Sequence, residues 1–388
     1  MENLNRDFIE LVKAEICNTD PQLNKEEITE DRLIEILQIS SKHDLTHMVA
    51  ASLGKSGNLG DDKISKAFRR SAVSAMYRYE KMSYVEDKVK ELFEEEAIDF
   101  VVLKGSSIGE LYPESWMRTR SDIDVLVREE NLKKAVHLLV SKLGYKVYKH
   151  NYHDVALVSP ENTILELHFR VVEHEENMDK VLGKVWDYVV EGEGHQLKFS
   201  NEFMMFHMYA HMYYHFINGG CGLRFLVDIW FAKKALKDNI NSQQMEELLK
   251  EGRMLTFASY VDKLAEISFG QGQHDEITEM MEEYILTGGL FGSFESKIKA
   301  RKTKEEAGKN YIAGRIFMSL DEMQASYPKL EKYPVLYPWY TVKRWLKIFK
   351  GGTVENAVQE IKINKNMQQD GVENLKKLFA VLKGEKDV

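Results

Sequence analysis

Two aspartates one residue apart, Asp122 and Asp124, stand in the segment SDIDVLV, where they alternate with Ile123, Val125 and Val127. Side chains two apart on a strand share a face and sit roughly 6.6–6.8 Å apart along the chain. At an effective dielectric near 20, two negative charges at that spacing repel by about 2.5 kcal/mol. A divalent cation between them reverses the sign of that cost. Mg²⁺ suits such a pair because it takes one or two carboxylates and fills its remaining positions with water and substrate phosphates; Mn²⁺ would substitute. The spacing by itself is weak. With 62 acidic residues in 388, chance supplies roughly ten acidic–any–acidic triplets, most of them solvated faces. This one differs in lying within a buried-type strand pattern and not in a charge run.

Two neighbouring segments add to it. In VVLKGSS a β-branched run ends at Gly105 and Ser106, ahead of a short helical piece. Such a turn presents backbone N–H groups and a hydroxyl at a helix N-terminus, which favours phosphate, and Lys104 supplies a point charge. The plainer reading is a strand-to-helix turn in which Gly105 relieves backbone strain. In TILELHFRV, Glu166 and His168 share one strand face while Leu165, Leu167 and Phe169 share the other. An isolated acid there is usually an edge residue. A third carboxylate reaching the same cation would instead complete a two-cation site, or act as a base that activates an attacking hydroxyl. Arg118 and Arg120 precede the aspartates and would neutralise charge on a departing phosphate group, unless they are surface arginines.

Strand, Gly-Ser, short helix, strand with Asp-x-Asp and a later strand with a third acid: that order resembles the polymerase-β-type nucleotidyltransferase superfamily. More narrowly, LKGSSIGELYP, an arginine four before the first aspartate (Arg118), DIDVLV and LELHFR resemble a large group of poorly characterised bacterial nucleotidyltransferases. The motif-bearing part covers residues 97–170, with a looser likeness through the histidine-bearing helix and GLRFLVDI. The resemblance implies transfer of a nucleoside monophosphate from a nucleoside triphosphate such as ATP to an acceptor hydroxyl, with release of pyrophosphate. It implies that Gly105 and Ser106 hold the triphosphate, that Asp122 and Asp124 bind two Mg²⁺ ions, and that Glu166 is the third acid. Lys104, Gly105, Ser106, Arg118, Arg120, His168 and His211 form the candidate nucleotide-binding set. The gap between Gly-Ser and the first aspartate is longer than the superfamily's usual one, and Glu stands where Asp is common.

FHMYAHMYYHF sets His207, His211 and His215 on one helical face. Two histidines at i, i+4 can bind zinc, but the HExxH glutamate is missing and Met208, Tyr209 and Met212 make the helix apolar on several sides. A buried helix with His211 near the phosphates is the expectation. Arg224 and Asp228, also i, i+4, are spaced to pair with each other, with an interdomain structural role as the default expectation. The basic aromatic stretch YPVLYPWYTVKRWLKIFKGG reads as a surface helix, with membrane-surface or nucleic-acid contact as the rival.

The elements that must position these groups follow from periodicity. Residues 1–96 read as helices, with apolar residues at three- and four-residue spacing. After Glu94–Glu96 the pattern becomes β-branched, and residues 97–199 alternate strands at 99–104 and 122–127, a helix ending at Gly144, and two or three further strands. Residues 200–388 read as helical again, with breaks near Gly219–Gly222, Gly270–Gly272, Gly288–Gly292 and Gly351–Gly352. The expected class is α+β: a central mixed-sheet nucleotidyltransferase unit flanked by N-terminal and C-terminal helical regions.

A formal net charge of −9 argues against extended nucleic acid as the main partner. Cys17 and Cys221 form no CxxC pair, so neither a disulfide framework nor a structural zinc site is expected. The polar start MENLNRDFIELVKAEI lacks a signal-peptide core, and no apolar run reaches the ~20 residues of a membrane span; a cytoplasmic address is expected. Three rivals remain at this level. One is a metal-dependent sugar-nucleotide glycosyltransferase, which also uses Asp-x-Asp. The others are a non-catalytic nucleotide-binding module and a zinc hydrolase built on His207 and His211. The acceptor, base preference and oligomeric state leave no mark in the sequence.

Overall fold

The computed structural model describes residues 2–24, 28–290, 292–305, 320, 323, 327, 329–350 and 369–384. Four helices come first: α1 (Glu2–Cys17), α2 (Glu30–Lys42), α3 (Thr46–Lys55) and the long α4 (Lys63–Glu95). The chain turns between α2 and α3 at Asp44, whose φ is +55°. Asp62 caps α4, its Oδ1 accepting from the Ile64 and Ser65 N–H groups at 2.8 and 2.9 Å, the usual answer to unpaired donors at a helix start.

Among the described residues every strand lies in the middle of the chain. These are β1 (Phe100–Val102), β2 (Asp122–Val127), β3 (Lys146–His150), β4 (Asp154–Val158), β5 (Ile164–His168), β6 (Val189–Glu193) and β7 (Gln196–Phe199). They form one mixed sheet in the order β3-β4-β5-β2-β1-β7-β6. β2 is parallel to β5 and antiparallel to β1, and β1 is parallel to β7. Between strands lie α5 (Ser106–Gly109), α6 (Leu132–Leu143) and α7 (Glu176–Leu182). Gly144 ends α6 with φ +70°, as its position predicts. The helical region that follows comprises α8 (Asn201–Ile217), α9 (Leu223–Leu236), α10 (Ser242–Glu251), α11 (Leu255–Phe269), α12 (Glu276–Gly288) and α13 (Phe294–Glu305), then helices over Tyr337–Lys350 and Gln369–Leu382. The α+β class with helices at both ends is thus observed.

One hairpin was not expected. β6 and β7 come from VVEGEGHQLKF, where β6 is largely exposed and offers no apolar alternation to read. The glycine break near 351–352 lies outside the described residues. The basic aromatic stretch is helical over Tyr337–Lys350 and leaves Trp339 66% exposed. Among the described residues no helix is long and apolar enough to cross a membrane.

Strand alternation divides the core. Phe100, Val102, Ile123, Val125, Val127, Leu165 and Leu167 face α4 and α6, meeting Val85, Val89, Leu92, Phe93, Leu138 and Leu139. From the other sheet face, Val101, Leu103 and Leu126 join a larger cluster built from α1–α3 and α8–α12. The aspartates of β2 share that second face with Leu126. The fold therefore aims the acids at a helical layer.

Candidate active site

The acids meet because β2 and β5 are parallel and in register. Asp124 lies opposite Glu166, and Leu126 opposite His168. Asp122, Asp124 and Glu166 border one cavity of ≈ 270 Å³, together with Lys104 and Gly105 at the end of β1. His168 sits against the acids: its Nε2 is 2.9 Å from Asp124 Oδ1 and 3.6 Å from Glu166 Oε2. Ligand atoms of Asp124, Glu166 and His168 lie within 4.8 Å of one another. The Asp124 and Glu166 carboxylates, with Asp122 bordering the same cavity, offer oxygen donors of the kind a hard divalent cation takes.

Electrostatics distinguish the two aspartates. Burial, followed by repulsion from Asp124 and Glu166, pushes Asp122 up to about 6. Asp124 is more deeply buried, which alone would raise it. Lys104 and the hydrogen bond from His168 overcome burial and hold it well below the usual carboxylate range. His168 responds in kind. Burial opposes its charge, but hydrogen bonds to Asp124 and Glu166 raise it to about 9. Burial likewise opposes charge on Lys104, and Asp124, Glu173, Asp122 and Glu166 outweigh it, leaving the ammonium above its ordinary value. No hydrogen bond or ion pair with a described residue ties Lys104 down.

Gly105 makes the turn before α5 at φ +77°, a conformation costly for any residue with a Cβ. The turn places Gly105 at the acid cavity but carries the Ser106 side chain to the β7 side. There it borders a second cavity of ≈ 170 Å³ with Lys198, Phe199 and Asn201. Ser106 Oγ is sealed from solvent and has no hydrogen-bond partner among the described residues. Lys104, Ile108, His207 and Met208 border both cavities.

The arginines border the acid cavity with their charges already paired. Arg118 forms a buried fork with Asp228, Nε to Oδ1 at 2.8 Å and Nη2 to Oδ2 at 2.9 Å, and its Nη1 donates to the Gly105 carbonyl at 3.2 Å. Tyr112 donates to the same Asp228 at 2.5 Å. Arg120 pairs with Glu86 of α4. Arg224 and Asp228 take the structural role expected by default, tying α9 to other regions of the chain, but they do not pair with each other. Although i, i+4 on α9, Asp228 is taken by Arg118, while Arg224 reaches Asp44 at 2.8 Å and the Thr119 carbonyl at 3.0 Å. Thr119 also donates to Asp44, and the Met117 carbonyl lies 2.6 Å from His47 Nε2. The N-terminal helices thus grip the loop that leads into β2.

α8 and α9 cover the cavity. Ser200 caps α8 by accepting from the Phe203 N–H at 3.2 Å. From α8, His207, His211 and His215 all border the cavity. Burial and Lys104 lower His207 to about 3 and push His211 well below its ordinary value. The three rings lie 6.4 Å (His207–His211) and 4.6 Å (His211–His215) apart between centroids, and among the described residues they belong to no group of three donors close enough to share an ion. Among the described residues, the group of donors close enough to share an ion is Asp124, Glu166 and His168. His211 instead meets a carboxylate, Nδ1 lying 2.9 Å from Glu173 Oε1.

Of the ten residues singled out by sequence, eight border the acid cavity: Lys104, Gly105, Arg118, Arg120, Asp122, Asp124, Glu166 and His211. His168 lies directly behind, and Ser106 faces away. Glu173, Asp44 and Glu86 leave no mark as site residues in the sequence, and Asp228 is marked there with Arg224, not Arg118, as its partner. Glu173 stands in EHEEN, where an acidic run reads as solvated surface.

A family model described as Uncharacterised nucleotidyltransferase matches residues 30–270. No curated protein and no solved structure matches the chain.

Proposed function

Because the chain belongs to this nucleotidyltransferase family, we propose that it moves a nucleoside monophosphate from a nucleoside triphosphate to an acceptor hydroxyl, releasing pyrophosphate. One observation carries the reading: three carboxylates from two parallel, in-register strands converge on a cavity that also holds Lys104 and the Gly105 turn. Asp122, Asp124 and Glu166 would hold divalent cations, Mg²⁺ or Mn²⁺, which when bound neutralise phosphate charge and polarise the phosphoryl oxygens. Asp122 is the natural entry point, because its charged form is disfavoured first by burial and then by Asp124 and Glu166, and a cation would relieve both.

Lys104 places a charge beside the acids with no hydrogen bond or ion pair to a described residue, so it is available to a phosphate oxygen. Arg118 fixes the Gly105 carbonyl and hence the phosphate-side turn, and its fork with Asp228 ties that turn to α9. Arg224, paired with Asp44, holds the Thr119 carbonyl of the loop ahead of β2. Together these groups bind and orient the triphosphate, and in phosphoryl transfer positioning and charge stabilisation supply most of the catalysis.

Incubation with each α-labelled nucleoside triphosphate, Mg²⁺ and a cell extract should move label into an acceptor and release pyrophosphate. Asp122→Asn should lower that transfer by on the order of 10³-fold while circular dichroism stays unchanged. Full transfer by the variant would reject the assignment.

A further inference from the structure

We propose that His211, oriented by Glu173, is the base that removes the proton from the acceptor hydroxyl; this role rests on the nucleotidyl-transfer reading above. The acids on the sheet are poorly placed for the task. Asp124 already accepts a hydrogen bond from His168, and Glu166 lies 3.6 Å from the same ring within the cation-binding group. Lone pairs that hold a cation are not free to take a proton.

His211 comes from the opposite layer and borders the same cavity as the acids. Its Nδ1 lies 2.9 Å from Glu173 Oε1, and Glu173 is 6% exposed. A carboxylate cannot donate, so Nδ1 carries the hydrogen and Nε2 is left with its lone pair. No described residue hydrogen-bonds Nε2, and the side chain is 22% exposed. Carboxylate, imidazole and an open acceptor nitrogen form the orienter-and-base arrangement of activated nucleophiles.

The chain takes trouble to place Glu173. The next residue, His174, adopts φ +58°, a left-handed conformation uncommon outside glycine. The Glu173 N–H donates to Asp179 Oδ1 at 2.7 Å, and the His174 ring meets His153 and Tyr214. Strain held by several contacts marks a position the surroundings over-determine. Burial, reinforced by Lys104 and Arg118 and opposed by Asp124 and Asp228, keeps His211 unprotonated, the form a base requires.

In the step, the acceptor O–H proton passes to His211 Nε2 as the oxygen's electron pair bonds to the α-phosphorus. The bond from that phosphorus to the α,β-bridging oxygen breaks, and pyrophosphate leaves with its electron pair. The new imidazolium is stabilised by Glu173 and returns its proton to water after product release.

His211→Asn tests this directly, because an Asn amide can keep the N–H donated to Glu173 while Nε2 disappears. At saturating Mg-ATP, label transfer from α-labelled ATP into a cell extract should fall about 10²–10⁴-fold, with calorimetric Mg-ATP affinity within about threefold of wild type. Glu173→Gln should cost about 10–100-fold, and ¹⁵N spectra should show the Nδ1–H tautomer at His211 in the wild type and its loss in this variant. Transfer by His211→Asn at the wild-type rate, or an Nε2–H tautomer in the wild type, overturns the role alone. A wild-type chain that neither binds Mg-ATP nor transfers label overturns the nucleotidyl-transfer reading itself.

Discussion

His168 on the sheet and His207 on the covering helix approach one acidic cavity from two layers and reach opposite charge states. Both are buried, and burial disfavours the cation in each. His168 nevertheless rises to about 9 because Asp124 and Glu166 hydrogen-bond its charged form, whereas His207, with Lys104 as its strongest charged neighbour, falls to about 3. Burial lowers both histidines, and only the carboxylate partners of His168 are strong enough to reverse it. The same contrast separates the layers. The sheet leaves its acids close together and mutually repelling, while the arginines around them are neutralised by Asp228 and Glu86. Net field is thus concentrated where β2 meets β5.

The strongest way to break this contrast is to remove its centre. Asp124→Asn takes away the acid that both His168 and Lys104 face, and should lower both divalent-cation binding and label transfer by on the order of 10³-fold or more. Calorimetry with Mn²⁺ would reveal the loss; undiminished binding would move the cation site elsewhere. Next is the neutralised wall. Asp228→Asn leaves Arg118 charged, buried and without its fork, and should cost about 3–5 kcal/mol in urea unfolding. Adding Arg118→Met should restore much of that stability, because no unpaired charge remains. If the double variant folds but transfers no label, Arg118 serves substrate as well as structure.

A third test uses pH. His43 Nδ1 accepts the Leu223 N–H at 2.9 Å, at the start of α9, and its Nε2 faces the Leu286 carbonyl at 3.3 Å. Protonating Nδ1 would set a donor against a donor. Burial accordingly lowers His43 from 6.5 to about 4. A base with a depressed folded value contributes stability that is present above 6.5 and lost as pH falls toward 4. The loss approaches about 3 kcal/mol for a shift of this size. His168 runs the other way in cation-free protein: its contribution is complete below 6.5 and disappears as pH rises through about 9. Urea midpoints measured from pH 4 to 10 should therefore fall at both ends, and His168→Gln should remove the alkaline fall alone.

The sequence made one kind of information legible and withheld another. Alternation in SDIDVLV and TILELHF assigns faces within each strand, so the bounds of β2, the shared face of Asp122 and Asp124, and the shared face of Glu166 and His168 are legible in the sequence. Gly144 marks a helix end for a backbone reason equally local. Pairing is different. Arg118 meets Asp228 from 110 residues away, and Arg224 meets Asp44 from 180 away; helical spacing pointed instead to Arg224 with Asp228. Glu173 was hidden because composition reports that a segment is acidic but not which of its acids turns inward. The β6–β7 hairpin was hidden because its pairing rests on backbone hydrogen bonds with little apolar burial.

The smallest expected effect discriminates most finely between a structural acid and a cation-binding one. Asp122 is raised from 3.8 to about 6, first by burial and then by Asp124 and Glu166. The folded state therefore holds this proton more tightly than the unfolded chain does. Between pH 3.8 and 6 the folded state pays increasingly for ionisation, and above 6 the penalty is complete. Because the three acids share the repulsion, its worth is on the order of 1–3 kcal/mol. Asp122→Asn should raise cation-free stability by that amount at pH 7.5 and by nothing below pH 3.8. Saturating Mg²⁺ should then stabilise the wild type more than the variant, since binding to the folded state alone adds to stability. Were Asp122 merely structural, Asp122→Asn would be destabilising at every pH, and Mg²⁺ would shift both proteins equally.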